Sequence, residues 1–170
     1  MNPNTEIFSS IKLVDEDGNK LNSLIITSLC FQDNNTLWVG TRESGLIRYD
    51  LKTGSIKRFQ YDPFVKNGIP SNNISDIIAD AGGKIYIALG DIYGLLLFNP
   101  ENGTFSHFKP EENFSGPTRT YGFFDMEFDD KGNIWIADFG YGLYYFDTGT
   151  HHFTNYRTRE FERPILQADF

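Results

Sequence analysis

With 170 residues, 39% apolar and 16% aromatic, the chain can build one domain with its own core, which excludes a disordered polyampholyte. A net charge of -8 at pH 7, with no basic cluster longer than two residues, argues against a nucleic-acid partner, because phosphate-binding surfaces gather Lys and Arg on one face. The lone Cys30 excludes an internal disulfide framework and a Cys-based zinc site. No stretch reaches the roughly 20 apolar residues of a membrane span, and MNPNTEIFSS lacks the basic and apolar regions of an export signal.

In chain order, residues 7–14, IFSSIKLV, read as an outer strand left over from an earlier unit, because they and the residues after them align with GSIKRFQYDPFVKNGIPSNNISDI further on. A repeat then begins. Its copies start ITSLCFQDNNTLWVGT at Ile26, ISDIIADAGGKIYIAL at Ile74 and FFDMEFDDKGNIWIAD at Phe123, and Trp38, Tyr86 and Trp135 fall in register 48 and 49 residues apart.

Each copy parses into four short strands. The first (ITSLCF, ISDIIA or FFDMEF) stops at an Asp/Asn-rich turn such as Asp33-Asn34-Asn35, whose side chains can bond the backbone. The second (TLWVGT, KIYIAL or NIWIAD) is β-branched and aromatic and too short for an ordinary helix. A polar or Gly-containing connection leads to GLIRYD, GLLLFN or GLYYFD, and Thr53-Gly54, Asn102-Gly103 or Thr148-Gly149 then turns the chain into the fourth strand. Pro63, Pro70, Pro110 and Pro117 all lie between copies, where a missing backbone donor does least harm.

Such a sheet carries apolar residues on both faces and must be covered on both. Radial packing around an axis meets that need, so the fold class is all-β, a β-propeller of four-stranded antiparallel blades. The expected units are 24–62, 73–111 and 122–159, with residues 163–170 as the inner strand of a next blade, all in one partial propeller domain over 1–170. That makes about three and a half blades where closed rings need about four to eight. The open flanks favour association, and the chain is expected to be a piece of a longer propeller or, failing that, to close by self-association.

DNNTLWVGTRESGLIRYDLKTG, with GIPSNNISDI before the next copy, resembles the two-component regulator propeller repeat. Thr36 stands where that pattern has Gly, Ala137-Asp138 where it has Gly-Thr, and the second copy departs furthest, with Tyr86 for Trp and Ala88-Leu89 for Gly-Thr. The resemblance implies a periplasmic sensor region of a bacterial hybrid two-component protein, a signal-transduction module that recognises glycan fragments or other small molecules and has no enzymatic activity of its own.

In a propeller, the connections between second and third strands and the links between copies share the rim around the mouth. Candidate ligand-binding residues there are Arg42, Glu43, Asp91, Tyr93, Arg119, Tyr121, Phe139 and Tyr141, since aromatic faces beside charged groups suit a sugar. As ordinary loop residues, Tyr93 and Tyr141 would instead pack between blades. No cofactor or metal is expected. DEDGNK and DDKGN meet hairpin requirements and lack the Glu of an EF-hand, and adjacent His151 and His152 point to opposite faces of a strand. Cys30 reads as a small buried hydrophobe. The alternatives are a propeller-type hydrolase or lyase, for which the inner strands offer Asp76, Asp125 and Glu127 but no His, and a scaffold for protein partners.

Overall fold

The computed structural model describes residues 13–14, 18, 21, 24–91, 94–110, 122–139 and 142–156. These form three four-stranded antiparallel sheets joined in chain order. The first holds β1 (Ile26–Phe31), β2 (Thr36–Thr41), β3 (Leu46–Asp50) and β4 (Ile56–Phe59), the second β5 (Ile74–Ala79), β6 (Ile85–Leu89), β7 (Leu95–Asn99) and β8 (Thr104–Phe108), and the third β9 (Phe123–Phe128), β10 (Ile134–Asp138), β11 (Gly142–Asp147) and β12 (His152–Tyr156). The register repeats with the sequence: Trp38 pairs with Cys30, Tyr86 with Ile78 and Trp135 with Glu127. The fold is an incomplete β-propeller, with β1, β5 and β9 as the inner strands. β5 lies in contact with both β1 and β9.

The cores lie between sheets. Trp38, Leu46, Ile74, Ile77, Ile85, Ile87 and Phe98 fill the space between the first and second, while Tyr86, Leu95, Phe123, Met126, Ile134, Tyr144 and Phe146 fill that between the second and third. Each buried side chain of this size contributes about 1.5–3 kcal/mol by leaving water. The tilted and edge-on ring contacts Trp38–Phe98 at 5.3 Å and Phe59–Phe98 at 5.1 Å add the preferred aromatic geometry. Cys30 packs against the first core; burial pushes its thiol pKa up, the Asp76 carboxylate adding to this, so it stays a protonated packing group.

Polar bonds fix one inner strand on the next. Ser28 Oγ donates to Asp76 Oδ1 at 2.8 Å and accepts from Ile77 N–H at 3.1 Å, and Asp76 Oδ2 accepts from Met126 N–H at 2.8 Å. One position higher, Thr27 Oγ1 donates to the Ile74 carbonyl at 2.6 Å, and Ser75 Oγ donates to the Phe123 carbonyl. Asp76, a candidate metal ligand of the enzyme alternative, is thus engaged in holding three sheets together.

The third hairpin differs from expectation. Gly54 (φ 77°) and Gly103 (φ 70°) take the left-handed position of the first two, but in the third His151 (φ 59°) takes it and Gly149 does not. The demanding position is the fourth after the hairpin Asp or Asn, where the backbone N–H returns to that residue's carbonyl: Gly54 to Asp50, Gly103 to Asn99 and His151 to Asp147, each 2.8 Å. His151 is held there by stacking on Phe146 and lying 4.6 Å from the Phe108 ring. Near the start of the chain, Leu21 N–H donates to the Leu13 carbonyl at 2.9 Å, and Leu13, Leu21 and Leu24 pack on Val39, Ile47 and Ile56 of the first sheet. Residues 7–12 and 163–170 of the expected flanking strands lie outside the described residues.

Candidate functional site at the propeller mouth

A cleft of about 560 Å³ opens where the three inner strands meet the connections that follow β2, β6 and β10. Its walls come from matching positions of the three repeats: Ile25, Asn73 and Gly122 just before the inner strands, Thr27, Ser75 and Phe124 within them, and Arg42, Gly90 and Phe139 just after the second strands.

The backbone at these positions is the same in every copy. Arg42 N–H donates to the Ile25 carbonyl at 3.0 Å, Gly90 N–H to that of Asn73 at 3.1 Å, and Phe139 N–H to that of Gly122 at 2.8 Å. The ladder between first and second strands skips one residue per copy: Ile26 pairs with Thr41 and Ser28 with Gly40, Ile74 with Leu89 and Asp76 with Ala88, Phe123 with Asp138 and Asp125 with Ala137. The skipped residues are Thr27, Ser75 and Phe124, and such a bulge re-aims the side chain it releases. All three line the cleft.

On this repeated backbone the side chains diverge. Two of the skipped positions carry hydroxyls that tie neighbouring sheets, whereas the third carries Phe124, 67% exposed. Phe139 is 81% exposed. Gly90 leaves room for Asn73, onto whose amide a Cβ at Gly90 would intrude at 2.9 Å. Among the described residues, the side chains of Arg42, Asn73 and Asp125 make no hydrogen bond or ion pair. The cleft therefore offers two exposed aromatic rings, a guanidinium, an amide and a carboxylate, a mixture suited to a ligand with both apolar faces and hydroxyl or anionic groups.

Of the residues expected at the mouth, Arg42 and Phe139 line this cleft. Glu43 and Asp91 follow Arg42 and Gly90 on the same connections without lining it. Tyr93, Arg119, Tyr121 and Tyr141 lie outside the described residues. Sequence reasoning missed Asn73, Ser75 and Phe124, and placed Asp125 only in a weak metal set. The signal that could have found Phe124 is the hydroxyl at the matching positions 27 and 75, which Phe alone breaks.

No protein-family model matches the chain, and neither does any curated protein. Solved structures do. The extracellular domain of a hybrid two-component system protein from B. thetaiotaomicron is similar over 79% of this chain (TM-score 0.66, 24% identity), and a second such domain from the same organism over 89% (TM-score 0.51, 19% identity). Virginiamycin B lyase from Staphylococcus aureus is similar over 79% of the chain, with a TM-score of 0.61 and 11% identity. These likenesses show the propeller fold. The chain spans 17% and 24% of the two B. thetaiotaomicron domains and 41% of the lyase.

Proposed function

We propose that this chain is part of a non-enzymatic recognition module of a bacterial signalling receptor, working in the periplasm and taking an oligosaccharide in the mouth cleft. The observation that carries this reading is the break in the repeat: on a backbone held by the same bonds three times, Phe124 replaces a hydroxyl that ties sheets in the other two copies, and it lies exposed beside the cleft with Phe139. A ring face exposed at a concave mouth costs stability unless something covers it, and the C–H face of a pyranose is a fitting cover. Arg42, Asn73 and Asp125 would bond its hydroxyl and acidic groups. The two extracellular domains of hybrid two-component proteins support the receptor context.

Capture at the mouth would act by favouring one of two arrangements of a larger receptor. Residues 24–62, 73–111 and 122–159 each serve as one blade in this reading. Calorimetric titration of the chain with neutral and acidic oligosaccharides tests it: saturable binding that weakens at least tenfold, about 1.4 kcal/mol, in Arg42→Ala is expected, and an absence of saturable heat with every sugar contradicts it.

A further inference from the structure

The two interfaces between sheets follow one rule. The sheet that comes first presents an aromatic of its second strand, a Leu of its third and an aromatic of its fourth: Trp38, Leu46 and Phe59 in the first sheet, Tyr86, Leu95 and Phe108 in the second. The sheet that follows receives them on two apolar residues of its inner strand, Ile74 and Ile77 or Phe123 and Met126, all buried. An oxygen on the first sheet's inner strand, Ser28 Oγ or Asp76 Oδ2, accepts the N–H of the second of those residues, Ile77 or Met126.

Both halves of this interface occur once more, uncovered. The third sheet carries the presenting set as Trp135, Leu143 and Tyr156, with Trp135 stacked on Tyr145 and Tyr156; Tyr156 is 53% exposed and Leu143 is exposed, where Leu46 and Leu95 are fully buried. Asp125, in the place of Asp76, is exposed and without a side-chain partner among the described residues. The first sheet carries the receiving pair as Ile26 and Leu29, the latter 60% exposed. Leu21, in the place of the interface residue Ile69, already packs beside them.

We propose that a second copy of this chain covers these faces head to tail. Trp135, Leu143 and Tyr156 of each copy pack on Ile26, Leu29 and Leu21 of the other, and Asp125 accepts the Leu29 N–H. The interface continues the two already inside the chain, and two copies supply six sheets, within the range of about four to eight in closed propellers. A heterologous contact that closes after two copies gives a discrete dimer, whereas one that does not close gives filaments.

Light scattering and sedimentation of the 170-residue chain up to about 100 μM test this. The expected result is a species of twice 19.5 kDa and nothing larger. Leu143→Glu and Leu29→Glu, each on an exposed side chain, should weaken it at least tenfold while the circular dichroism spectrum stays that of the folded chain. Mixing the two variants should restore a one-to-one dimer, because one intact interface remains between them. Asp125→Ala should weaken the dimer and Asp125→Asn, which keeps an acceptor oxygen, should weaken it less. A monomer throughout the range overturns the proposal and leaves the faces to sheets from another polypeptide; a dimer indifferent to Leu143→Glu and Leu29→Glu overturns it too.

Discussion

Ser28 and Asp76, 48 residues apart in the chain, meet at 2.8 Å between two inner strands, and Asp76 passes the link on to the Met126 N–H of a third. Removing that carboxylate leaves the Ser28 hydroxyl and a backbone donor without their acceptor between packed sheets. Asp76→Ala is therefore expected to cost about 2 kcal/mol, with Asp76→Asn intermediate because its amide oxygen can still accept from Met126. Urea unfolding followed by circular dichroism measures both. A loss under about 0.5 kcal/mol for Asp76→Ala, the level of an ordinary surface change, would remove Asp76 from its linking role.

The connection after β2 gives a sharper steric contrast. Gly45 has φ 77° and a Cβ there would collide with the Phe59 carbonyl, whereas Gly103, at φ 70°, has nothing within 4 Å of the same atom. Gly103→Ala should cost about 1 kcal/mol from the left-handed backbone alone. Gly45→Ala should cost about 1–3 kcal/mol more, since backbone must shift to admit the methyl group. Equal thermal midpoints for the two variants would contradict the close approach of the β2–β3 connection to the end of β4.

Acid should find two hairpins and spare the third. The Asp50 carboxylate is held below its ordinary value of 3.8 chiefly by the Thr53 N–H, and Asp147 chiefly by the Thr150 N–H. A folded-state pKa below the unfolded one contributes stability that is present above the unfolded value and is lost as pH falls through the folded value. Stability should thus begin to fall below about pH 5 and continue through the carboxylate range. Asn99 does the same turn-forming work in the second hairpin, accepting the Glu101 N–H at 2.9 Å without a titrating group. Replacing Asp50 and Asp147 together by Asn should flatten the acid limb of the unfolding midpoint against pH; an unchanged limb would place the acid-sensitive groups elsewhere.

The blades were legible because their signals are local. Trp38, Tyr86 and Trp135 mark the second strand of every copy, and an Asx turn or a Gly-containing hairpin bounds each strand, so repetition alone yields four-stranded sheets. The cleft was only partly legible. Arg42 and Phe139 follow from their place after the second strands, but Phe124 reaches the mouth through a bulge, and a period of two carries no mark of the residue that is skipped. Asn73 was hidden for another reason: it has room in the mouth because its partner position is Gly90, a pairing made by the Asn73–Gly90 backbone bond across 17 residues. His151 was misread because an Asp-Thr-Gly run attracts the turn to its glycine, whereas the bond from His151 N–H to the Asp147 carbonyl sets the position that must be left-handed.

The central claim is that Phe124 stands at the mouth for a ligand and not for the fold. The most direct test compares the wild-type chain with Phe124→Thr, which restores the hydroxyl found at the matching residue Thr27, in calorimetric titrations against the oligosaccharide that binds wild type best. The account predicts that the variant is at least as stable as wild type and binds at least tenfold more weakly, about 1.4 kcal/mol. Undiminished binding by a folded Phe124→Thr chain, or a wild type that binds no oligosaccharide, would contradict it.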